Sequence, residues 1–244
     1  MDQKEQDKIF KVGEDMWYFR ALHRNLLFAL NRYVQRRSGW IVDGGSGPGG
    51  LSTSLMQLLP DALKLAIDAD PLALARNPRS ATYMAVGASV NALPVADNSI
   101  TAYISADIIY HRSVIPEAFA NETFRCLEPG GIAIVNVPAY QWLFSDHDRQ
   151  VSGVRRYSKS SLKRLMEDAG FEVVYHTYWN MFLFPLLVFW RKVLPFRPPT
   201  SDLRYFPKPL EILFNAVMGL EHKILTRGGS LPFGGSLLVV ARRP

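Results

Sequence analysis

The sequence predicts an α/β domain on a doubly wound, mostly parallel, seven-stranded sheet, with a helix ahead of the first strand and a helical insertion before the last. Three observations carry this. Ile41-Val-Asp-Gly-Gly-Ser-Gly-Pro-Gly-Gly-Leu-Ser52 reads as the end of a buried strand, a glycine-rich turn and a helix start. Between residues 39 and 178, short β-branched runs alternate with segments of helical periodicity. A last apolar run, Ser236 to Ala241, follows two further helical segments.

The 244 residues suffice for one sizeable domain with an elaboration. The net charge of +6 invites an anionic partner. The bases, however, fall in dispersed pairs such as Arg36-Arg37, Arg155-Arg156 and Arg191-Lys192, which argues against nucleic acid. Cys126, the lone cysteine, lies in an apolar helical pattern and reads as a buried structural thiol. His23, His111, His147, His176 and His222 are scattered and show no metal-ligand spacing. Met1 to Lys11 is charged and lacks the apolar stretch of a signal peptide, so a cytoplasmic location is expected.

Residues 14–37 form the first helical segment, with Met16, Phe19, Leu22, Leu26, Leu30 and Tyr33 on one stripe. Its aromatic start, Trp17-Tyr18-Phe19, serves either packing or a lid over the cleft, and Tyr18 is a candidate substrate contact. The strand at 39–43 ends in Asp43, and the turn that follows lets a ligand approach the backbone. A carboxylate at Asp43 suits a ligand with a cationic end and disfavours a pyrophosphate. The second strand ends at Asp68, about 20 residues after the glycines, where an acid accepts hydrogen bonds from ribose hydroxyls. Ala69 follows it. Asp70 then caps a helix that Pro71 opens.

Residues 81–86 are the third strand. Ser89 and Val90 come next, where an adenine would find a polar contact and an apolar flank. The fourth strand, 100–105, is closed by Asp107, and His111 lies on the same edge. A helix from Ile115 to Leu127 is expected to stop at Pro129-Gly130-Gly131, ahead of a fifth strand at 132–137. The polar and aromatic loop Ala139 to Tyr157 leaves the cleft edge, and long loops there carry function. Ser158 or Ser160 caps a helix to Ala169, and the sixth strand runs from Phe171 to Tyr178. Trp179 to Trp190 is intensely apolar but too short for a membrane span of about 20 residues. A Pro-rich stretch at 195–209, a helix at 210–225 and the last strand, 236–241, complete the chain. The expected organisation is a helical cap at 1–37, a core at 38–178 and 236–244, and an apolar insertion at 179–235.

This order of elements resembles a class I S-adenosylmethionine-dependent methyltransferase of the broad type 11 group, which has a Rossmann-like fold. Asp43-Gly-Gly-Ser-Gly-Pro-Gly49 is similar to the family's acid-x-Gly-x-Gly-x-Gly motif. The loop Ala92-Leu-Pro-Val-Ala-Asp-Asn-Ser99 and the turn Leu127-Glu-Pro-Gly-Gly131 also look like family elements. The resemblance implies S-adenosylmethionine as cofactor, held by Asp43, Gly44, Gly45, Ser46, Gly47, Gly49, Asp68, Ala69, Ser89, Val90 and Asp107. Ser89 stands where many members carry an acid. Ser145-Asp-His-Asp148 with Arg155-Arg-Tyr157 resembles a bacterial subgroup, although Val151-Ser-Gly153 lacks that subgroup's further histidine.

The expected reaction is methyl transfer to an oxygen or nitrogen of a hydrophobic small-molecule or lipid-like acceptor, by in-line displacement. His111 and His147 are the candidate bases, with Asp148 orienting His147. Arg156 either binds an acidic substrate group or forms an ion pair with Asp148 that ties the loop down. Tyr140 and Tyr157 are candidate pocket walls. The insertion completes a substrate pocket, forms the face of a homodimer, or lies on a membrane through 179–225. The rival reading is a non-catalytic cofactor-binding scaffold at a membrane or partner protein.

Overall fold

The computed structural model describes residues 16–35, 39–193 and 206–244. The expectations for Met1 to Lys11 and for most of the Pro-rich stretch lie outside these residues. Helix α1 (Trp17–Tyr33) leads to β1 (Trp40–Gly44), α2 (Gly50–Leu58), β2 (Leu63–Asp68), the short α3 (Pro71–Leu74) and β3 (Tyr83–Gly87). Then come β4 (Ile100–Ala106), α4 (Pro116–Cys126), β5 (Leu127–Pro138), α5 (Asp146–Gln150) and α6 (Lys159–Asp168). Strand β6 (Glu172–Trp179), α7 (Phe184–Val188), α8 (Lys208–Thr226) and β7 (Ser236–Arg242) close the chain.

The seven strands lie in the order β3-β2-β1-β4-β5-β7-β6. Only β7 runs against its neighbours. The chain winds outward from β1 to β3, returns to place β4 beside β1, then winds the other way. That reversal opens a crevice beyond the carboxyl ends of β1 and β4.

Both faces of the central strands β1, β4, β5 and β7 are buried, which explains why these strands read as continuous apolar runs rather than alternating ones. Along β7, Leu237, Val239 and Ala241 join one core while Leu238 and Val240 join the other. The first core is covered by α4 and α6 through Phe119, Leu162 and Met166. The second is covered by α1, α2 and α8 through Leu26, Leu55 and Met218. Cys126 is fully buried in the first core, where its thiol is pushed up to about 11 by burial.

Most boundaries shift by a residue or two, and three departures from the sequence expectation have a visible cause. Helix α1 ends at Tyr33, because Val34 turns extended with ψ 102°. The expected helix stop at Pro129-Gly130-Gly131 instead lies inside β5. Helix α4 ends at Cys126 as Leu127 turns extended, and the register of β5 against β4 shifts between Ile100 and Ala102. The Gly130 N–H donates to the Arg243 carbonyl at 2.8 Å, and the Arg243 N–H donates to the Gly131 carbonyl at 2.9 Å. Pairing with the end of the chain thus draws the glycines into a bulged strand. The apolar run that opens at Trp179 is also divided. Trp179 closes β6, Asn180 turns with φ 60°, and α7 begins with Pro185 in its first turn.

The division is fixed from α8. Buried Glu221 accepts the Asn180 N–H at 2.7 Å and the Phe182 N–H at 2.8 Å. Replacing Glu221 by Ala orphans two backbone donors beneath the insertion. We expect a loss of about 3 kcal/mol in urea unfolding, against no change for Ala at the exposed Glu172.

Candidate active site

The glycine turn folds as it does because β1 delivers Asp43 and Gly44 to the crevice. Two glycines there do different things. A side chain at Gly44 would overlap the Tyr103 ring, so this glycine serves packing, and it does not line the cavity. Gly47 has φ 52°, and a Cβ on it would meet nothing within 4 Å. It borders open space in the cavity wall, beside Gly45 and Ser46. Gly49 lies behind the wall, against Asn77 and Pro78.

Asp43 is buried and accepts the Ser52 hydroxyl at 2.8 Å. Burial pushes its carboxyl up to about 7, and nearby Asp68 adds to the rise. Ser46 Oγ is buried with no hydrogen-bond partner among the described residues. Asp68 accepts the Gly47 N–H at 2.8 Å and the Asp70 N–H at 2.9 Å, which links the end of β2 to the turn. Asp70 caps α3 by accepting the Leu72 N–H at 2.8 Å. Ala69, Ser89 and Val90 continue the same wall.

One cavity of about 1330 Å³ runs from this turn to the insertion. Helix α1 packs and covers at once. It packs on α8, where Trp17 meets Phe214 edge-on at 5.4 Å and the Trp17 N–H donates to Glu211 at 2.9 Å. Its Met16, Trp17, Tyr18, Phe19, Leu22 and His23 also line the cavity. Leu183, Leu187, Leu210 and Leu213 of the insertion line the apolar part.

Between the two parts stands Asp107, at the end of β4 with φ 53°. Its Oδ2 accepts the Tyr18 hydroxyl at 2.8 Å, and its Oδ1 accepts Asn136 Nδ2 at 2.9 Å. Asn136 in turn accepts Trp179 Nε1 at 2.8 Å. Burial pushes the Asp107 carboxyl up to about 6, against the pull of these hydrogen bonds and of Arg156. The Tyr18 hydroxyl is raised above its ordinary value by burial and by Asp107. Ser236 Oγ lies 3.2 Å from Tyr18 Oη. Sequence reading missed Asn136, Trp179 and Ser236, because only the sheet order brings β5, β6 and β7 beside β4. His111 lines the cavity and is held neutral, its imidazole lowered to about 4 by burial.

In the loop after β5, Arg156 forms the ion pair with Asp148. Arg156 Nε and Nη2 donate to the Asp148 oxygens at 2.9 and 3.0 Å, with both side chains buried. Asp148 also accepts the Ser145 N–H at 2.8 Å, which closes the first turn of α5. Its carboxylate is thus engaged by Arg156 and Ser145. Arg156, Asp148 and His147 all border the cavity. Tyr140 and Tyr157 do not. Tyr140 stacks on Tyr178 at 5.1 Å, and the Tyr157 hydroxyl donates to the Ile109 carbonyl at 3.1 Å. Both lace the base of the loop, because the Ala139–Tyr157 bridge turns their rings away from the cleft. No group of three or more His, Cys, Asp or Glu among the described residues forms a metal site.

A sheet of this order, a glycine turn at its switch point and carboxylates closing β1, β2 and β4 define the class I S-adenosylmethionine-dependent methyltransferase fold. Residues 42–135 match the type 11 family model of a methyltransferase domain. The matched stretch, from within β1 to within β5, is thus that of a methyltransferase domain. Among solved structures it is similar to a methyltransferase of Haloferax volcanii in complex with its Trm112 activator, at 18% identity and TM-score 0.65, covering 99% of this chain and 95% of that one. It is also similar to a sarcosine dimethylglycine methyltransferase of Galdieria sulphuraria, at 17% identity and TM-score 0.63, covering 91% and 84%. The third is the geranyl diphosphate C-methyltransferase of Streptomyces coelicolor, at 14% identity and TM-score 0.62, covering 90% and 78%. At these identities the likeness is one of fold. No curated protein matches the chain in sequence.

The Asp43 carboxyl generates a prediction for the ligand-free protein. Its folded value lies above its ordinary value of 3.8, so its contribution to stability is full below that value and is lost as pH rises through about 7. Asp43→Asn should therefore gain stability over the parent between about pH 5 and about pH 8, by about 2 kcal/mol, levelling off above neutrality. Melting curves of both proteins across that range provide the check.

Proposed function

We propose that this chain transfers a methyl group from S-adenosylmethionine to a hydrophobic small-molecule or lipid-like acceptor, at an oxygen or nitrogen. The observation that carries the reading is the continuity of the cavity. Its volume of about 1330 Å³ exceeds that of a typical single-ligand pocket, about 300–1,000 Å³. One part is polar and faces the glycine turn, and the other is apolar and formed by α1, the insertion and α8. The residues fit the cofactor. Asp43, a buried carboxylate that burial leaves short of a counter-ion, suits the ammonium group. The backbone at Gly45 and Gly47, with Ser46 Oγ, suits the methionine carboxylate. Asp68 suits the ribose, and Ser89 with Val90 the adenine. When bound, the cofactor supplies an electrophilic methyl group. The chain's own contribution is to orient the acceptor and exclude water, for which α1 and the insertion close the space. His111, neutral and bordering the cavity, and His147 are the candidate bases for an acceptor that must lose a proton.

Calorimetric titration with S-adenosylhomocysteine tests the cofactor half, and NAD serves as control. Micromolar binding of the former and none of the latter is expected. Asp68→Ala should weaken it at least tenfold, about 1.4 kcal/mol. Radiolabelled S-adenosylmethionine with apolar cell extracts then tests the acceptor half, and label confined to the water-soluble fraction would count against it.

A second reading has its own observation. Leu186, Leu213 and Ile212 are 51%, 53% and 70% exposed, and the first two also line the cavity, so its mouth opens among solvent-facing apolar side chains. Such a face suits a membrane surface. No helix among the described residues is long and apolar enough to cross one. Co-sedimentation with anionic phospholipid vesicles, lost in Ile212→Asp, is the expected result if the mouth docks there. Full retention in the variant would exclude this face.

A further inference from the structure

The wall between the two parts of the cavity shows an asymmetry of hydrogen-bonding chemistry. Tyr18, Asp107 and Ser236 line the cavity, while Asn136 and Trp179, both fully buried, stand behind them. The atoms presented to a ligand are two hydroxyl oxygens and a carboxylate. Tyr18 spends its single proton on Asp107 at 2.8 Å. Ser236 Oγ, 3.2 Å from Tyr18 Oη, then gives its own proton to Tyr18, so toward a ligand all three groups are acceptors.

The geometry is held firmly. Trp179 stacks on the Tyr18 ring at 5.2 Å and donates to Asn136, which donates to Asp107. Asp107 keeps a left-handed backbone, a conformation that costs a non-glycine residue about 1–3 kcal/mol and persists only where the surroundings enforce it. The cluster abuts the apolar part directly. Trp17 contacts the Tyr18 ring at 5.9 Å and the Phe214 ring at 5.4 Å, and all three residues line the cavity. Around Asp107 stand Tyr110 and neutral His111 from its own loop, and Arg156, which is engaged by Asp148.

We infer that Tyr18, Asp107 and Ser236 form the head-group subsite of the acceptor, and that it takes a hydrogen-bond donor, a hydroxyl or an amine, carried on an aliphatic chain that lies against Trp17, Leu187, Leu213 and Phe214. This deepens the methyltransferase reading and rests on it. It places Asp107, which the motif resemblance gives to the cofactor, on the acceptor's side. A carboxylate in this subsite would face acceptors alone and lose its hydration without replacement.

The test uses the full chain saturated with S-adenosylhomocysteine and titrated calorimetrically with four probes of one chain length: 1-decanol, decylamine, decyl methyl ether and decanoate. The alcohol and the amine should bind at least tenfold tighter than the ether and decanoate. In Tyr18→Phe and Asp107→Asn that advantage should fall below threefold, with binding of the ether unchanged, which also shows that the apolar part is intact. Ser236→Ala, a smaller change, should weaken the alcohol severalfold and leave the ether alone. Tightest binding by decanoate would overturn the inference and assign the head group to the arginines. Equal binding by all four, or none, would overturn it too. So would Asp107→Asn weakening S-adenosylhomocysteine as much as decanol, which returns Asp107 to the cofactor. If S-adenosylhomocysteine fails to bind at all, the methyltransferase reading fails separately, and the probe ranking is read on the protein alone.

Discussion

The relay Trp179 to Asn136 to Asp107, met from the other side by Tyr18, holds the architecture of the site together. Four hydrogen-bonding groups, from α1, the end of β4, β5 and β6, meet at the cavity wall, with Asn136 and Trp179 fully buried behind it. A buried polar group left unpaired costs more than a made hydrogen bond returns, so each member constrains the next. Tyr18 leaves Asp107 with one fewer partner if it moves away, which favours α1 over the cleft. Trp179 cannot shift without releasing Asn136, which sets where β6 ends and where the insertion starts.

With that, an open crevice becomes a partly covered one. A doubly wound sheet by itself leaves its switch point exposed to solvent. Here α1 lies over it, braced by Trp17 on Phe214 and by Asn25 beside His222 at 2.9 Å. The insertion is braced in turn by Glu221, which gathers the backbone just after β6. The partly covered volume has a polar end and an apolar end because its walls come from different elements. Strand ends bring carboxylates and glycines, whereas amphipathic helices bring the apolar stripes that bind them to the sheet.

Burial also sets the electrostatics. Asp43 and Asp107 are both raised above the ordinary carboxylate range, because desolvation outweighs the hydrogen bonds each receives. Asp148, also buried, faces the guanidinium of Arg156, and the pair acts as a tie that shapes the loop over the cavity. All three carboxylates border the cavity, and the one that already has a cation serves the frame.

The parts of this protein legible in its sequence are those set by local chemistry. The glycine turn, the Asp70 cap ahead of Pro71, the acid closing β2 and the two apolar helices before β7 each follow from spacing and backbone preference within a few residues. Where the reading failed, the deciding partner was distant in the chain. Gly44 packs against Tyr103, the Pro129-Gly130-Gly131 stretch pairs with Arg243, and Tyr140 turns to Tyr178. Asp107 gains its meaning only from Tyr18 and Asn136. A sequence shows what a residue offers: a donor, an acceptor, a charge or a conformational freedom. What that residue is left to do depends on which partners the sheet order delivers and how much water is excluded, and tertiary packing alone decides both.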